Sequence, residues 1–311
     1  MARTQYDKGL REIGNGLYAY MQPDGGWGWS NAGLIADQGD TLLIDTLFDL
    51  KLTEEMLSAM RHAVPAAAKI KTVVNTHANG DHCWGNQLVA DAEIIASRAC
   101  AEDLAGDSTD RILELMAAPG LLGDYVRKIF GAFDFEGIQI TPPTRSFERE
   151  LELSVGGKTV NLLEVGPAHT TGDILVHLPE DNVVFTGDIL FIEGHPILWA
   201  GPVQNWINAC DRMLSMELDV IVPGHGPITD KNGVAAVKGY LEYVSAEARK
   251  RYDAGLSAEE AARDIALDDY SSWGDGERIA VNVFTLYREF AHDHSPPDIL
   301  AAFSLMAELD R

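Results

Sequence analysis

The apolar and polar positions divide the chain into stretches of different period. Leu10 to Met21, Ala32 to Ala36 and Thr41 to Ile44 read as short strands, with turns at Pro23-Asp24-Gly25-Gly26 and Gln38-Gly39-Asp40. Lys51 to His62 carries apolar residues at helical spacing and predicts an amphipathic helix, with Thr53 as its cap ahead of Glu54 and Glu55. The run Ile70-Lys71-Thr72-Val73-Val74-Asn75-Thr76 reads as a buried strand bounded by a turn. A helix begins around Asp81 to Gly85, a short strand covers Glu93 to Ala96, and helical pattern extends from Arg98 to about Phe133. Strands resume near Ser146, turn at Ser154-Val155-Gly156-Gly157 and continue to Val183-Val184-Phe185. Gln204 to Met216 predicts a helix leading into the strand Val220-Ile221-Val222.

Beyond Asp230 the character changes. Val234 to Gly255, Ser257 to Ile265 and Gly276 to Phe290 have helical periodicity with many Ala, Glu and Arg residues. The expected organisation is a main domain over residues 1–230, with a helical insertion at about 98–133, and a helical C-terminal extension over 231–311.

Chemistry enters at the strand ends. His77-Ala78-Asn79-Gly80-Asp81-His82 follows the buried strand and projects imidazole and carboxylate groups from a tight loop. It matches the metal-binding pattern H-x-H-x-D-H except at Asn79, where a second His is expected. His169 stands in Gly166-Pro167-Ala168-His169-Thr170-Thr171-Gly172-Asp173, Asp188 closes Thr186-Gly187-Asp188, and His225 lies in Pro223-Gly224-His225-Gly226. Each places a ligand-capable side chain just past a strand, where Gly permits close backbone approach. Imidazole together with carboxylate suits a zinc-like or iron-like ion.

Composition narrows the setting. The chain has 311 residues, 46% hydrophobic and 23% charged, as in ordinary globular proteins. Lys+Arg number 24 against 48 Asp+Glu, a net charge of −24, which repels phosphate backbones and argues against a nucleic-acid partner. No apolar stretch approaches the roughly 18–20 residues of a membrane span, and Met1 to Lys8 lacks the apolar core of a secretory signal. Three scattered cysteines, Cys83, Cys100 and Cys210, lack framework spacing and suit a reduced cytoplasmic protein. The partner expected is a small-molecule substrate, with no membrane; self-association as a homodimer stays open.

The four strand-end loops, in this order, resemble the metallo-β-lactamase superfamily over about Leu10 to Ile228. The resemblance implies an α/β fold, an αββα sandwich of two sheets between helices, with the C-terminal helices added to it. It also implies two adjacent metal positions. His77, the residue at 79 and His169 would form the first; Asp81, His82 and His225 the second; Asp188 would bridge them. Asn79 removes an imidazole from the first position, and a neutral carbonyl is a poor donor to zinc. The expectation is therefore one tightly held zinc at Asp81, His82, Asp188 and His225, a second ion weak or absent, and iron as the alternative metal.

Such an open site reads as catalytic, since zinc lowers the pKa of bound water toward 7. Asp188 and Asp81 could take a proton from that water, and His77 and His169, where free of metal, could serve as acid, base or anchor. Asn79 could offer its amide to the substrate. In the family a loop like Gly25 to Asn31 overhangs the metals, which makes Trp27, Trp29 and Asn31 candidate substrate contacts, with Trp199 beside them.

The leading reading is a metal-dependent hydrolase of a small, fairly apolar molecule. Trp29 to Ile35, Asn79-Gly80-Asp81-His82 and Gly85-Asn86 are similar to the branch containing the hydrolytic dehalogenase of chlorothalonil, implying hydroxide for chloride on an electron-poor ring. Alternatives are a persulfide-dioxygenase-like non-haem iron enzyme using His77, His169 and Asp188, a thioester hydrolase of glyoxalase type, and a binding protein with a relic site.

Overall fold

The computed structural model describes residues 6–310. Seven strands, β1 (Gly9–Gly14), β2 (Leu17–Met21), β3 (Ala32–Asp37), β4 (Asp40–Ile44), β5 (Thr72–Val74), β6 (Glu93–Ser97) and β7 (Arg145–Phe147), form one sheet in sequence order. The second sheet holds β8 (Glu150–Val155), β9 (Lys158–Glu164), β10 (Ile174–Leu178), β11 (Val183–Phe185) and β12 (Val220–Val222), in the order β12-β11-β10-β9-β8. Period-2 alternation assigns the faces. Ile35, Leu42, Ile44 and Val74 of the first sheet meet Leu162, Ile174, Val176 and Phe185 of the second in a core between the sheets. The alternate residues, such as Leu34, Leu43 and Leu175, turn outward into a second core under the helices.

Ten α-helices cover those outer faces: α1 (Leu50–Ala63), α2 (Gly80–Cys83), α3 (Arg98–Ala105), α4 (Asp110–Ala117), α5 (Gly120–Phe130), α6 (Val203–Ser215), α7 (Lys231–Asp253), α8 (Ala258–Asp264), α9 (Ile279–Phe290) and α10 (Ile299–Leu309). The result is the expected αββα sandwich. Asp49, rather than Thr53, caps α1, accepting from the Leu52 N–H at 2.7 Å. Thr53 lies inside the helix, where its buried hydroxyl meets Leu47. The expected extension also contains α10, whose sequence ILAAFSLMAEL is too uniformly apolar to show a helical stripe. Helices α9 and α10 pack into the same outer core as Phe48 and Trp84 of the main domain. Among the described residues no helix is long and apolar enough to cross a membrane.

Parallel pairing sets up the site. β4 runs parallel to β5, with Ile44 opposite Val74, and β11 runs parallel to β12, with Phe185 opposite Val222. Parallel strands end at the same edge, so Asp45 and His77 emerge together, as do Asp188 and His225. Inter-sheet backbone bonds join the two edges: Ile174 N–H donates to the Thr76 carbonyl at 3.0 Å, and Asn31 N–H to that of Gly224 at 2.7 Å.

Candidate metal centre

Six residues converge at this edge, His77, Asp81, His82, His169, Asp188 and His225, all of them buried. Asp188 stands at the centre. Its Oδ1 lies 3.0 Å from His82 Nε2, and its Oδ2 lies 3.3 Å from His169 Nε2, 3.4 Å from His225 Nε2 and 3.6 Å from His77 Nε2. Asp81 Oδ2 is 3.2 Å from His225 Nε2 and 3.9 Å from His82 Nε2. Gly224 makes this approach feasible, since a Cβ there would stand 2.0 Å from Asp188 Oδ1.

The other ring nitrogens show what the cluster is built for. His77 Nδ1 lies 3.0 Å from the Thr76 hydroxyl oxygen, whose proton goes to Asp45 Oδ2 at 2.7 Å. His82 Nδ1 lies 2.9 Å from Asp45 Oδ2, and His169 Nδ1 donates to the Ile197 carbonyl at 2.6 Å. Three imidazoles thus use Nδ1 on the protein and turn Nε2 inward, the usual arrangement of histidine ligands. His77 Nε2, His82 Nε2 and Asp188 Oδ1 are buried without a hydrogen-bond partner, since the 3.0 Å contact between the last two is not aligned as a hydrogen bond. Such stranded atoms are costly unless a further group satisfies them. Among the described residues, two sets have donor atoms close enough together for an ion: His77, His82 and Asp188; and Asp81, His82 and His225. The residues fit a divalent cation.

The electrostatics are those of a tightly balanced cluster. Burial and the neighbouring His82 push His77 well below its ordinary value, and burial holds His169 down to about 4. His82 is raised well above, because Asp188 and Asp81 outweigh the opposing effect of burial. Burial opposes the shift at His225 too, yet Asp188 and Asp81 bring it up to about 9. Burial would raise Asp188, but His225, His82 and His77 hold it well below the usual carboxylate range.

Asp45 is a buried residue of the cluster that the strand-end motifs do not reveal. It sits just past β4 with φ 62° and accepts the Thr76 N–H, the Thr76 hydroxyl and a contact from His82 Nδ1. Its signal in sequence, an acidic residue immediately after the strand Thr41 to Ile44, parallels that of Asp188.

Above the donors is a cavity of about 220 Å³, walled by Trp27, Trp84, Phe130, Trp199 and Phe303. Asn79, Asp81, His169, Asp188 and His225 reach it. Trp27 is held in place by the C-terminal segment: its indole N–H donates to Glu277 Oε1 at 3.1 Å, and the Arg278 guanidinium lies 4.4 Å from its ring centroid. Sequence periodicity gives no hint of these two partners, 250 residues away. Two residues expected in the substrate loop are placed otherwise. Trp29 packs on Phe133, with centroids 4.7 Å apart, outside the cavity. Asn31 is buried, and its amide is fully used: Oδ1 accepts from Gln22 N–H, while Nδ2 donates to the Pro223 and Gly226 carbonyls. It braces the His225 loop rather than facing a ligand.

The sequence profile of the metallo-beta-lactamase superfamily matches residues 25–225. Over 205 residues the chain is 26% identical to the alpha subunit of 2,4-dinitroanisole O-demethylase of Nocardioides sp. (strain JS1661), covering 61% of this chain and 51% of that protein. The chain therefore spans about half the length of that relative. It is 23% identical over 209 residues to the acyl-coenzyme A thioesterase MBLAC2 of Gallus gallus, covering 63% of this chain and 72% of the other. The solved sec-alkylsulfatase Pisa1 from Pseudomonas sp. shares the fold, with a TM-score of 0.67 at 16% identity over 94% of this chain and 52% of that one.

Proposed function

The chain belongs to the metallo-beta-lactamase superfamily, and from that membership and the donor geometry we propose a zinc-dependent hydrolase of a small, largely apolar molecule. The observation that carries this reading is the set of partnerless buried donor atoms at the floor of an aromatic-walled cavity. Asp81, His82, Asp188 and His225 would hold the ion, with His77 and His169 offering a second, weaker position. A zinc ion there supplies Lewis acidity, polarising the substrate and lowering the pKa of water toward 7.

The chain's own residues do the rest. Asp45 fixes the His82 ring and Ile197 the His169 ring, so the donors are oriented before anything binds. Asp81, the carboxylate with 13% of its side chain exposed, would take the proton of an attacking water while Asp188 remains a ligand. Trp27, Trp199 and Phe303 exclude bulk solvent and bury an apolar substrate. The buried thiols Cys83, Cys100 and Cys210 suit a reducing, cytoplasmic compartment.

A second reading specifies the reaction. The aromatic wall suits a flat ring, and the demethylase relative is named for 2,4-dinitroanisole, an electron-poor aryl ether. Water would replace the leaving group on the ring carbon, releasing chloride from chlorothalonil or methanol from 2,4-dinitroanisole. The test combines elemental analysis of protein purified without added metal with assays on phenyl esters, acyl thioesters and these two aromatics. Retained zinc and hydrolysis of one class are expected. Retained iron with thiol-dependent oxygen uptake, or no retained metal, would overturn the reading.

A further inference from the structure

Beside the donor cavity lies a second cleft, of about 530 Å³, among α8, α9 and α10. Its floor includes Ala258, Val281, Phe284 and Ala302, and its rim carries Glu259, Asp293 and Asp298 against the single cation Arg288. Trp199 and Ile299 line both spaces, so one layer of side chains divides them.

The dividing strap is tied to both sides. The Trp199 and Ala200 N–H groups donate to the His169 carbonyl at 3.0 and 3.1 Å, and the Ile197 carbonyl accepts from His169 Nδ1. From the cleft side, the Thr285 hydroxyl donates to the Leu198 carbonyl at 2.7 Å, and Asn282 Oδ1 accepts the Leu198 N–H at 2.7 Å. The strap therefore links a donor histidine directly to α9, which floors the cleft.

Volume gives the cleft a role. The donor cavity, at about 220 Å³, falls short of the ~300–1,000 Å³ of ordinary small-molecule sites. We propose that the cleft is the tail subsite of the same substrate, taking a neutral alkyl tail whose reactive end lies at the donor cluster, with Trp199 turning aside to join the two spaces. This rests on the donor cluster being the reacting centre of the hydrolase proposed above, with an alkyl-bearing ester or thioester as substrate rather than the tail-less rings of the second reading. The apolar floor favours a hydrocarbon chain, and the acidic rim disfavours an anionic end. Apolar area is the source of affinity, so each methylene that enters the cleft should tighten binding about three- to fourfold.

The test uses linear alkanols from butan-1-ol to octan-1-ol, titrated into the full chain with and without zinc and read by indole N–H chemical shifts. The Trp199 signal is assigned as the one lost in Trp199→Phe. Saturable binding that tightens with chain length and shifts the Trp199 signal is expected in both states. Ala258→Trp, which fills only the cleft, should weaken octan-1-ol binding at least tenfold while leaving the melting temperature and zinc content unchanged. A second filling variant at the rim, Ala291→Trp, serves if the first is unstable. Affinity independent of chain length, or equal binding by a folded filling variant, overturns the proposal. Because the readout needs neither turnover nor zinc, failure of the hydrolase reading would show separately, as absent metal or absent hydrolysis.

Discussion

Asn79 Oδ1 lies 2.8 Å from His169 Nε2, where the strand-end pattern leads one to expect a second imidazole ligand. His169 gives its Nδ1 proton to the Ile197 carbonyl, and burial keeps the ring uncharged at neutral pH, its pKa near 4. Its Nε2 then carries a lone pair. The contact is a hydrogen bond only with the amide, whose two ends are alike in shape, turned to present its NH2. With the amide so turned, Asn79 would compete with an ion for the Nε2 of His169 and would weaken the proposed first metal position through a neighbour as well as through a missing ligand.

Asn79→His should remove that competitor and supply an imidazole. The expected outcome is a second ion retained per chain with lower turnover, because a hydrogen-bonding amide at the cavity wall is lost. Losing such a bond costs about 0.5–1.5 kcal/mol, or roughly two- to thirteenfold in rate if it is made in the transition state. Elemental analysis after mild chelation and steady-state kinetics check this. Two ions with undiminished turnover would make Asn79 simply a lost ligand.

Asp45→Asn keeps the shape but weakens the hold on His82. Metal affinity should fall about 10- to 100-fold, the usual consequence of disturbing a group that orients a ligand. Competition against a chromogenic chelator measures it, and circular dichroism verifies that the variant is folded. Unchanged affinity would confine Asp45 to organising Thr76.

His82→Ala and His225→Ala should each abolish retained metal and activity together. Zinc at about a hundred times its dissociation constant should stabilise the native chain by about 2.7 kcal/mol, raising its melting temperature by several degrees. Neither variant should show that shift in calorimetry. A persistent zinc-dependent shift would place the ion elsewhere.

Glu277→Gln tests the clamp on Trp27. Weakening the bond to the indole N–H should loosen one cavity wall and raise KM several-fold with little change in kcat, the pattern of uniform binding loss. A fall in kcat at constant KM would instead assign this wall to the transition state.

The strands ending at His77, Asp188 and His225 and the donor set itself were legible in the sequence, because both signals are local. An apolar run gives the strand, and the His or Asp beside Gly at its end gives a donor on a tight loop. The sandwich came from the family resemblance that these loops carry, since strand pattern alone does not assign it. The helix cap at Asp49 and the helix over Ile299–Leu309 were not legible: the first needs the backbone geometry, and the second has only Ser304 and Glu308 as polar residues, too few to set a period. Tertiary closure alone decided the rest. Asp45 reaches His82 across 37 residues, Glu277 reaches Trp27 across 250, and Asn31 spends its amide on the His225 loop instead of the cavity. Those contacts depend on which strand ends and helices meet in space, and side chains far apart in the chain carry no shared period by which a sequence could announce them.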